Sequence, residues 1–281
     1  MNYKLFLENP YLRQIHARII DKRYENKLYY LKLDRTIFFP HLSSGQPRDK
    51  GTINGMEVKD VYEENSEIIH VLDEDIHSDK VSLSIDWNTR IDNMQQHTGQ
   101  HLLSAGFYKL YNADTIGFHI KPDYVYLDVD LPDMNWEQAE KIETYVNKII
   151  TSNFGIEAYY KKPRERESLK ISKSSSIHSN IRIVEIYDID ASPCGGTHLR
   201  NTGEIGIIKI RNWEKHKGHI RVEFVCGNRA LKDYSQKNKI INEITSLLSS
   251  KDIDLVDQIK LLYNQKKELE KELNKLKSER F

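Results

Sequence analysis

The chain has 281 residues, and its 42 Lys and Arg are matched by 42 Asp and Glu, so the formal net charge is zero. That balance excludes a globally basic nucleic-acid binder and leaves any such binding to a local patch. Two cysteines, Cys194 and Cys226, build no disulfide framework and point to a reducing compartment. The start, Met1 to Pro10, lacks a secretory pattern, and no apolar stretch approaches the ~20 residues of a membrane span. A soluble, cytoplasmic protein without a membrane partner is expected. The length suits two modest domains and an appendage, at about 150 residues per domain.

Residues 11–90 are rich in β-branched and aromatic side chains with short polar breaks. His16–Ile20 and Leu28–Leu33 predict a hairpin, with Glu25-Asn26 at its turn. Ser43 to Gly51 is dense in Ser, Gly and Pro and reads as a loop. Ile53, Val58, Val61, Ile68, Ile69 and Val71 mark further short strands, and Val81–Asp86 alternates cleanly. So many short strands predict a small N-terminal β-barrel over residues 1–88.

The pattern turns helical from Arg90 to about Tyr111, with Asp92 or Asn93 near its start. Strands are expected at Thr115–Ile120 and Tyr124–Val129, and a second amphipathic helix at Trp136–Phe154. Ile156–Tyr160, Ile181–Tyr187, Gly206–Ile210 and His219–Phe224 complete the strands. Strands and helices in mixed order predict an α+β domain over residues 89–231. From Ala230 glycine and proline disappear. Leu255, Ile259, Leu262, Leu269, Leu273 and Leu276 then recur at three- and four-residue steps, with Lys266 as a polar interruption. Residues 232–281 are expected to form a helical coiled-coil segment, and such a seam makes a homodimer through the C-terminal helices possible.

Two short strings carry the chemistry. His97 and His101, in Gln96-His97-Thr98-Gly99-Gln100-His101, stand four apart and fall on one face of a helix. Cys194 and His198 bracket Gly195-Gly196-Thr197, a composition that bends closely. Three imidazoles and a thiolate suit Zn2+, which takes nitrogen and sulfur ligands in a tetrahedron. His119 reads as an ordinary sheet histidine and Cys226 as core. Lys161, Lys162, Arg164, Lys170 and Lys173 form one basic cluster, and Lys209, Arg211, Lys215, Lys217 and Arg221 another.

Several stretches closely resemble the alanyl-tRNA editing proteins of the AlaX type, freestanding relatives of the editing domain of alanyl-tRNA synthetase. They are Leu33-Asp34-Arg35-Thr36 with Gly45-Gln46-Pro47, Met94 to Ser104, Val184-Glu185, Pro193 to His198, Thr202 to Gly206, and Arg221 to Leu231. The resemblance spans roughly residues 10–231 in matching order. It implies a hydrolase that cleaves the ester joining serine or glycine to tRNA(Ala), acting on mischarged tRNA(Ala) in trans. A site that selects alanine discriminates against such near neighbours by only ~1–3 kcal/mol, so a second hydrolytic sieve is needed.

The resemblance also implies His97, His101, Cys194 and His198 as zinc ligands, with Thr36 facing the amino acid and Gln46 in a catalytic loop. Ser44 stands where the family carries the first of two glycines before that glutamine. Four protein ligands describe a closed site, whereas hydrolytic zinc usually keeps a position open. Either one ligand is loosely held or the zinc orients the substrate's amino group. The basic clusters would then meet the tRNA backbone. Two other readings stand beside this one: an editing domain of threonyl-type specificity, and a tRNA-binding or assembly module with a structural zinc and no activity.

Overall fold

The computed structural model describes residues 3–41, 45–161 and 181–279. Ser44, Lys162, Arg164, Lys170 and Lys173 lie outside the described residues. The chain divides into two compact units, Met1–Ala230 and Leu231–Phe281.

In the first unit β1 (Tyr3–Lys4) and a short helix, α1 (Leu5–Glu8), precede the long β2 (Gln14–Glu25) and β3 (Leu28–Leu33). The turn between these two strands is Asn26-Lys27, one residue later than expected, because Glu25 still pairs with Leu28. Both turn residues take positive φ, 52° and 64°, which suits the right-handed twist of a two-residue hairpin. β4 (Arg35–Thr36) pairs in parallel with β1. Then come β5 (Gly51–Ile53), β6 (Met56–Glu57), β7 (Asp60–Glu64), β8 (Glu67–Leu72) and β9 (Lys80–Ile85). Seven strands form one antiparallel sheet in the order β6-β5-β9-β2-β3-β8-β7. In β9, Val81, Leu83 and Ile85 turn inward by strict alternation and pack with Leu31, Leu33, Phe38 and Phe39. Where the sequence predicts a small barrel, the strands form this ladder, with β6 and β7 at its two ends.

The next helix, α2 (Trp87–Tyr111), starts three residues earlier than the hydrophobic pattern suggests. Its cap is Asp86, whose carboxylate accepts the N–H groups of Asn88 and Thr89 at 3.0 and 3.4 Å. Asp92, an expected cap, instead accepts from the Arg229 guanidinium and the Gln96 amide. β10 (Thr115–Ile120) and β11 (Val125–Val129) follow, then α3 (Trp136–Ser152) with a full capping box from Asn135 and Gln138. β12 (Ile156–Lys161), β13 (Ile181–Ile186) and β14 (Asp190–Pro193) make a three-stranded sheet. β15 (Ile208–His216) and β16 (His219–Cys226) join the earlier pair in the order β10-β11-β16-β15. Met94, Leu102, Leu103 and Phe107 of α2 share one buried cluster with Ile142 and Val146 of α3 and Val222 and Phe224 of β16.

Buried contacts hold α2 at three of its residues, Arg90, Gln96 and Gly99. Arg90 is wholly buried, pairs with Asp49 and donates to the carbonyls of Pro10 and Ile37. Gly99 lies where an added Cβ would fall 2.2 Å from the Cys226 sulfur. Gln96 bonds the Cys226 backbone in both directions, at 2.9 and 3.1 Å. Cys226 is fully buried, as expected of a core residue, and burial pushes its thiol pKa up.

The second unit holds most of α4 (Gly227–Leu248) and all of α5 (Leu255–Ser278). Leu255 is buried, but Ile259, Leu262, Leu269, Leu273 and Leu276 stand 47–65% exposed. The predicted apolar seam is therefore an exposed stripe along α5 among the described residues. No described helix is long and apolar enough to cross a membrane.

The packing at Gly99 is directly testable. Gly99→Ala should lower stability by about 1–3 kcal/mol through overpacking. Adding Cys226→Ala should recover much of that loss, because the remaining Cβ sits at an ordinary 3.4 Å. Urea denaturation of the wild type, both single variants and the double variant measures the coupling. Full stability in Gly99→Ala would contradict the close approach.

Candidate metal centre

His97 and His101 project from successive turns of α2, and Cys194 and His198 from the loop after β14. Antiparallel pairing of β13 with β14 carries the chain to Pro193, registered opposite Ile183. Arg182, nearly buried on β13, then holds the loop by donating to the Cys194 carbonyl at 2.9 Å and the Gly196 carbonyl at 3.0 Å. Of the two loop glycines, Gly196 is the one that sterics require. A Cβ there would lie 2.2 Å from the His97 ring, whereas Gly195 faces open space.

The four ligand atoms lie within 4.8 Å of one another. The Cys194 sulfur is 3.4 Å from His97 Nε2 and 3.1 Å from His198 Nε2. A tetrahedral ion with bonds of about 2.0–2.3 Å needs donors roughly 3.3–3.8 Å apart, so the donor set fits zinc in chemistry and its two sulfur–nitrogen spacings come near that range.

The surroundings select the same nitrogen on each ring. His97 Nδ1 meets Gln46 Oε1 at 2.8 Å, His101 Nδ1 meets Asp190 Oδ2 at 3.3 Å, and His198 Nδ1 meets Thr98 Oγ1 at 3.3 Å. Each partner accepts the Nδ1 proton and leaves Nε2 as the ligand atom, which is how outer groups orient metal-binding imidazoles. Gln46 also accepts the Thr197 N–H at 3.1 Å and donates to the Thr197 hydroxyl at 2.8 Å. Thr98 accepts the Leu199 N–H at 3.1 Å.

The thiol and the rings shift one another's protonation. Burial raises the Cys194 thiol, yet His97, His198 and His101 together hold it well below the usual thiol range. Burial pushes His198 down to about 3. Burial also lowers His101, but Asp190 and Cys194 outweigh it and hold the ring up at about 10. The thiolate thus draws positive charge, here the His101 proton, which a bound divalent ion would displace.

The remaining expected residues fall into two places. Gln46 is buried against the cluster. Thr36 is buried on β4, where its hydroxyl meets His70 Nε2 of β8 at 2.8 Å and accepts the Phe38 N–H at 3.1 Å. Burial lowers His70 to about 4 and its Nδ1 faces the Leu31 carbonyl, so the neutral ring takes the Thr36 proton at Nε2. Among the described residues the Thr36 hydroxyl has no further partner. His119 is exposed and stacks on Tyr126 at 5.2 Å, apart from the cluster. In the second basic cluster, Lys209, Arg211, Lys215 and Arg221 each face a carboxylate, of Glu143, Glu223, Asp133 and Asp128. Asp190, Thr98, Arg182 and His70 escape a reading of the sequence. Only Asp190 and Thr98 leave a trace, Thr98 inside the histidine string and Asp190 shortly before the cysteine string.

A buried three-histidine, one-cysteine cluster on a helix and a glycine loop defines an α+β protein with a candidate metal centre. Residues 181–223, which include Cys194 and His198, match the family described as threonyl and alanyl tRNA synthetase second additional domain. The chain is 41% identical to alanyl-tRNA editing protein AlaX-L of Pyrococcus horikoshii, over 98% of this chain and 70% of that protein. It is 34% identical to alanine–tRNA ligase of Ignicoccus hospitalis, over 95% of this chain and 30% of the ligase. With alanyl-tRNA editing protein Aarsd1 of Mus musculus it shares 32% identity, over 86% of this chain and 60% of that protein. The chain belongs to the AlaX-type alanyl-tRNA editing proteins.

Metal content tests the outer groups as well as the ligands. Cys194→Ala should lose most bound zinc. Gln46→Ala should keep the ligands but weaken affinity by about 10–100-fold, because His97 loses its orienting partner. Competition with a chromophoric chelator reads both. Full zinc affinity in Gln46→Ala would remove it from the support of His97.

Proposed function

We propose that this chain is a zinc-dependent hydrolase that deacylates tRNA(Ala) mischarged with serine or glycine, in trans. Support comes from family membership, and the observation that carries it is the convergence of three Nε2 atoms and one thiolate in a pocket whose outer partners fix every ring. A zinc ion bound there would supply positive charge to hold and polarise the aminoacyl group.

The chain's own residues do the rest. His97, His101, Cys194 and His198 hold the ion, and Gln46 acts by fixing His97 and Thr197 rather than as a free base. Thr36 reads serine: with its proton committed to His70, its hydroxyl offers a lone pair to the serine O–H. Alanine has no group to fill that role. Contact with the tRNA backbone falls to the basic stretch that begins at Lys161, since most of the second cluster is already paired with carboxylates. The exposed seam of α5 is the surface through which two chains would associate as a homodimer. A tRNA-binding module with a purely structural zinc is the second reading, favoured by the closed set of four protein ligands.

Single-turnover deacylation of serine-, glycine- and alanine-charged tRNA(Ala) separates the two readings: rapid loss of serine or glycine with alanine spared supports the hydrolase, and inertness toward all three supports the structural-zinc module. Thr36→Val should slow serine release and narrow the gap between serine and alanine, with zinc retained. It should also cost about 1–3 kcal/mol of stability, because the Phe38 N–H loses its acceptor. An unaltered serine-to-alanine ratio would assign serine recognition elsewhere.

Self-association has its own readout. Light scattering on the full chain should give a dimer whose mass falls to the monomer when Leu262, Leu269 and Leu276 are changed to Ser. A monomer at high concentration before any change would remove α5 as the interface.

A further inference from the structure

The geometry points to Asn93 as a further substrate-contacting residue: we propose that its side-chain amide donates to the ester carbonyl oxygen of the bound aminoacyl group. This rests on the hydrolase reading above. Among the described residues, two buried side-chain polar atoms lack a hydrogen-bond partner, Asn93 Nδ2 and His219 Nε2. His219 Nε2 has a charged neighbour, Asp128, at 3.7 Å. Asn93 is 2% exposed, and its Nδ2 stays unpartnered. Folded proteins seldom leave such a donor unpaired, and the exceptions concentrate where a ligand completes the bond.

Its position points to the same conclusion. Asn93 stands one turn before His97 on α2, so the two side chains are neighbours along one face. Arg90, three residues earlier, donates to the Ile37 carbonyl. His97 itself meets Gln46. The contacts on either side of Asn93 thus both reach the stretch from Thr36 to Gln46. Along the helix, the unpaired amide lies between the metal ligands and the contact to the residue after Thr36.

The chemistry selects the carbonyl. Nδ2 only donates, so the substrate's ammonium group offers it nothing. The ester carbonyl is a pure acceptor that gains negative charge as water adds. In the reaction the water oxygen bonds to the carbonyl carbon, and the bond from that carbon to the ribose oxygen breaks. One water proton passes to the ribose oxygen, and the other leaves as the acid ionises. Asn93 gains and loses no proton. Its bond strengthens as charge develops, which raises rate rather than ground-state binding. Serine and glycine esters share this carbonyl, so both should depend on Asn93 equally.

Asn93→Leu keeps the branching of the side chain and removes the polar atoms. Single-turnover deacylation of serine- and glycine-charged tRNA(Ala) should both slow about a hundredfold. Zinc content should not change, and the urea midpoint should stay level or rise, since an unpaired buried donor has gone. Asn93→Ala carries the same rate expectation if leucine does not fit. Unchanged rates would overturn the assignment. A loss confined to serine would overturn the carbonyl contact and give Asn93 to the serine hydroxyl. Loss of zinc or of stability in both variants would make Asn93 a packing residue. A wild-type protein inert toward every charged tRNA would remove the hydrolase reading and this inference with it, whereas an active wild type lets Asn93 stand or fall alone.

Discussion

Three imidazoles and a thiolate meet in one buried place, and much of the first unit is arranged to keep them there. Removing such groups from water is costly unless each polar atom finds a partner. Gln46, Asp190 and Thr98 satisfy the outward nitrogens, and the inward atoms are left to one another. A bound cation is the natural completion of that arrangement, since it converts crowded lone pairs into ligands.

The supports are backbone as much as side chain. Gly196 lets the loop reach the His97 ring, and Gly99 lets the helix between its two histidines lie against β16. Arg182 ties both ends of the short cysteine loop to β13. Arg90, buried with Asp49 and donating to the Ile37 carbonyl, ties the helix to the stretch that follows Thr36 and flanks Gln46. Breaking one partner of that buried pair would leave a charge uncompensated and is therefore expected to be strongly destabilising.

Local periodicity made the strands, the two amphipathic helices of the first unit and the exposed α5 stripe legible, and the four-residue spacings exposed the ligand strings. What stayed hidden depends on distant pairing. Asp86 rather than Asp92 caps α2, because Asp92 is taken by Arg229, far along the chain. The hairpin turn moved to Asn26-Lys27 because cross-strand register, not composition, placed it. Thr36 and His70 are joined only once β3 brings β8 alongside. The second basic cluster was visible as charge, but its carboxylate partners come from other strands and from α3. Gly196 and Gly195 look alike in sequence, and only the His97 ring distinguishes them.

The central claim is that the ligand cluster is the hydrolytic centre and not a remote structural clip. Stripping the folded protein of metal and returning zinc stepwise, while following release of serine from tRNA(Ala), tests it most directly. The account predicts activity that rises linearly and stops at one zinc per chain, with the fold intact throughout. Equal activity in folded, metal-free protein would contradict it.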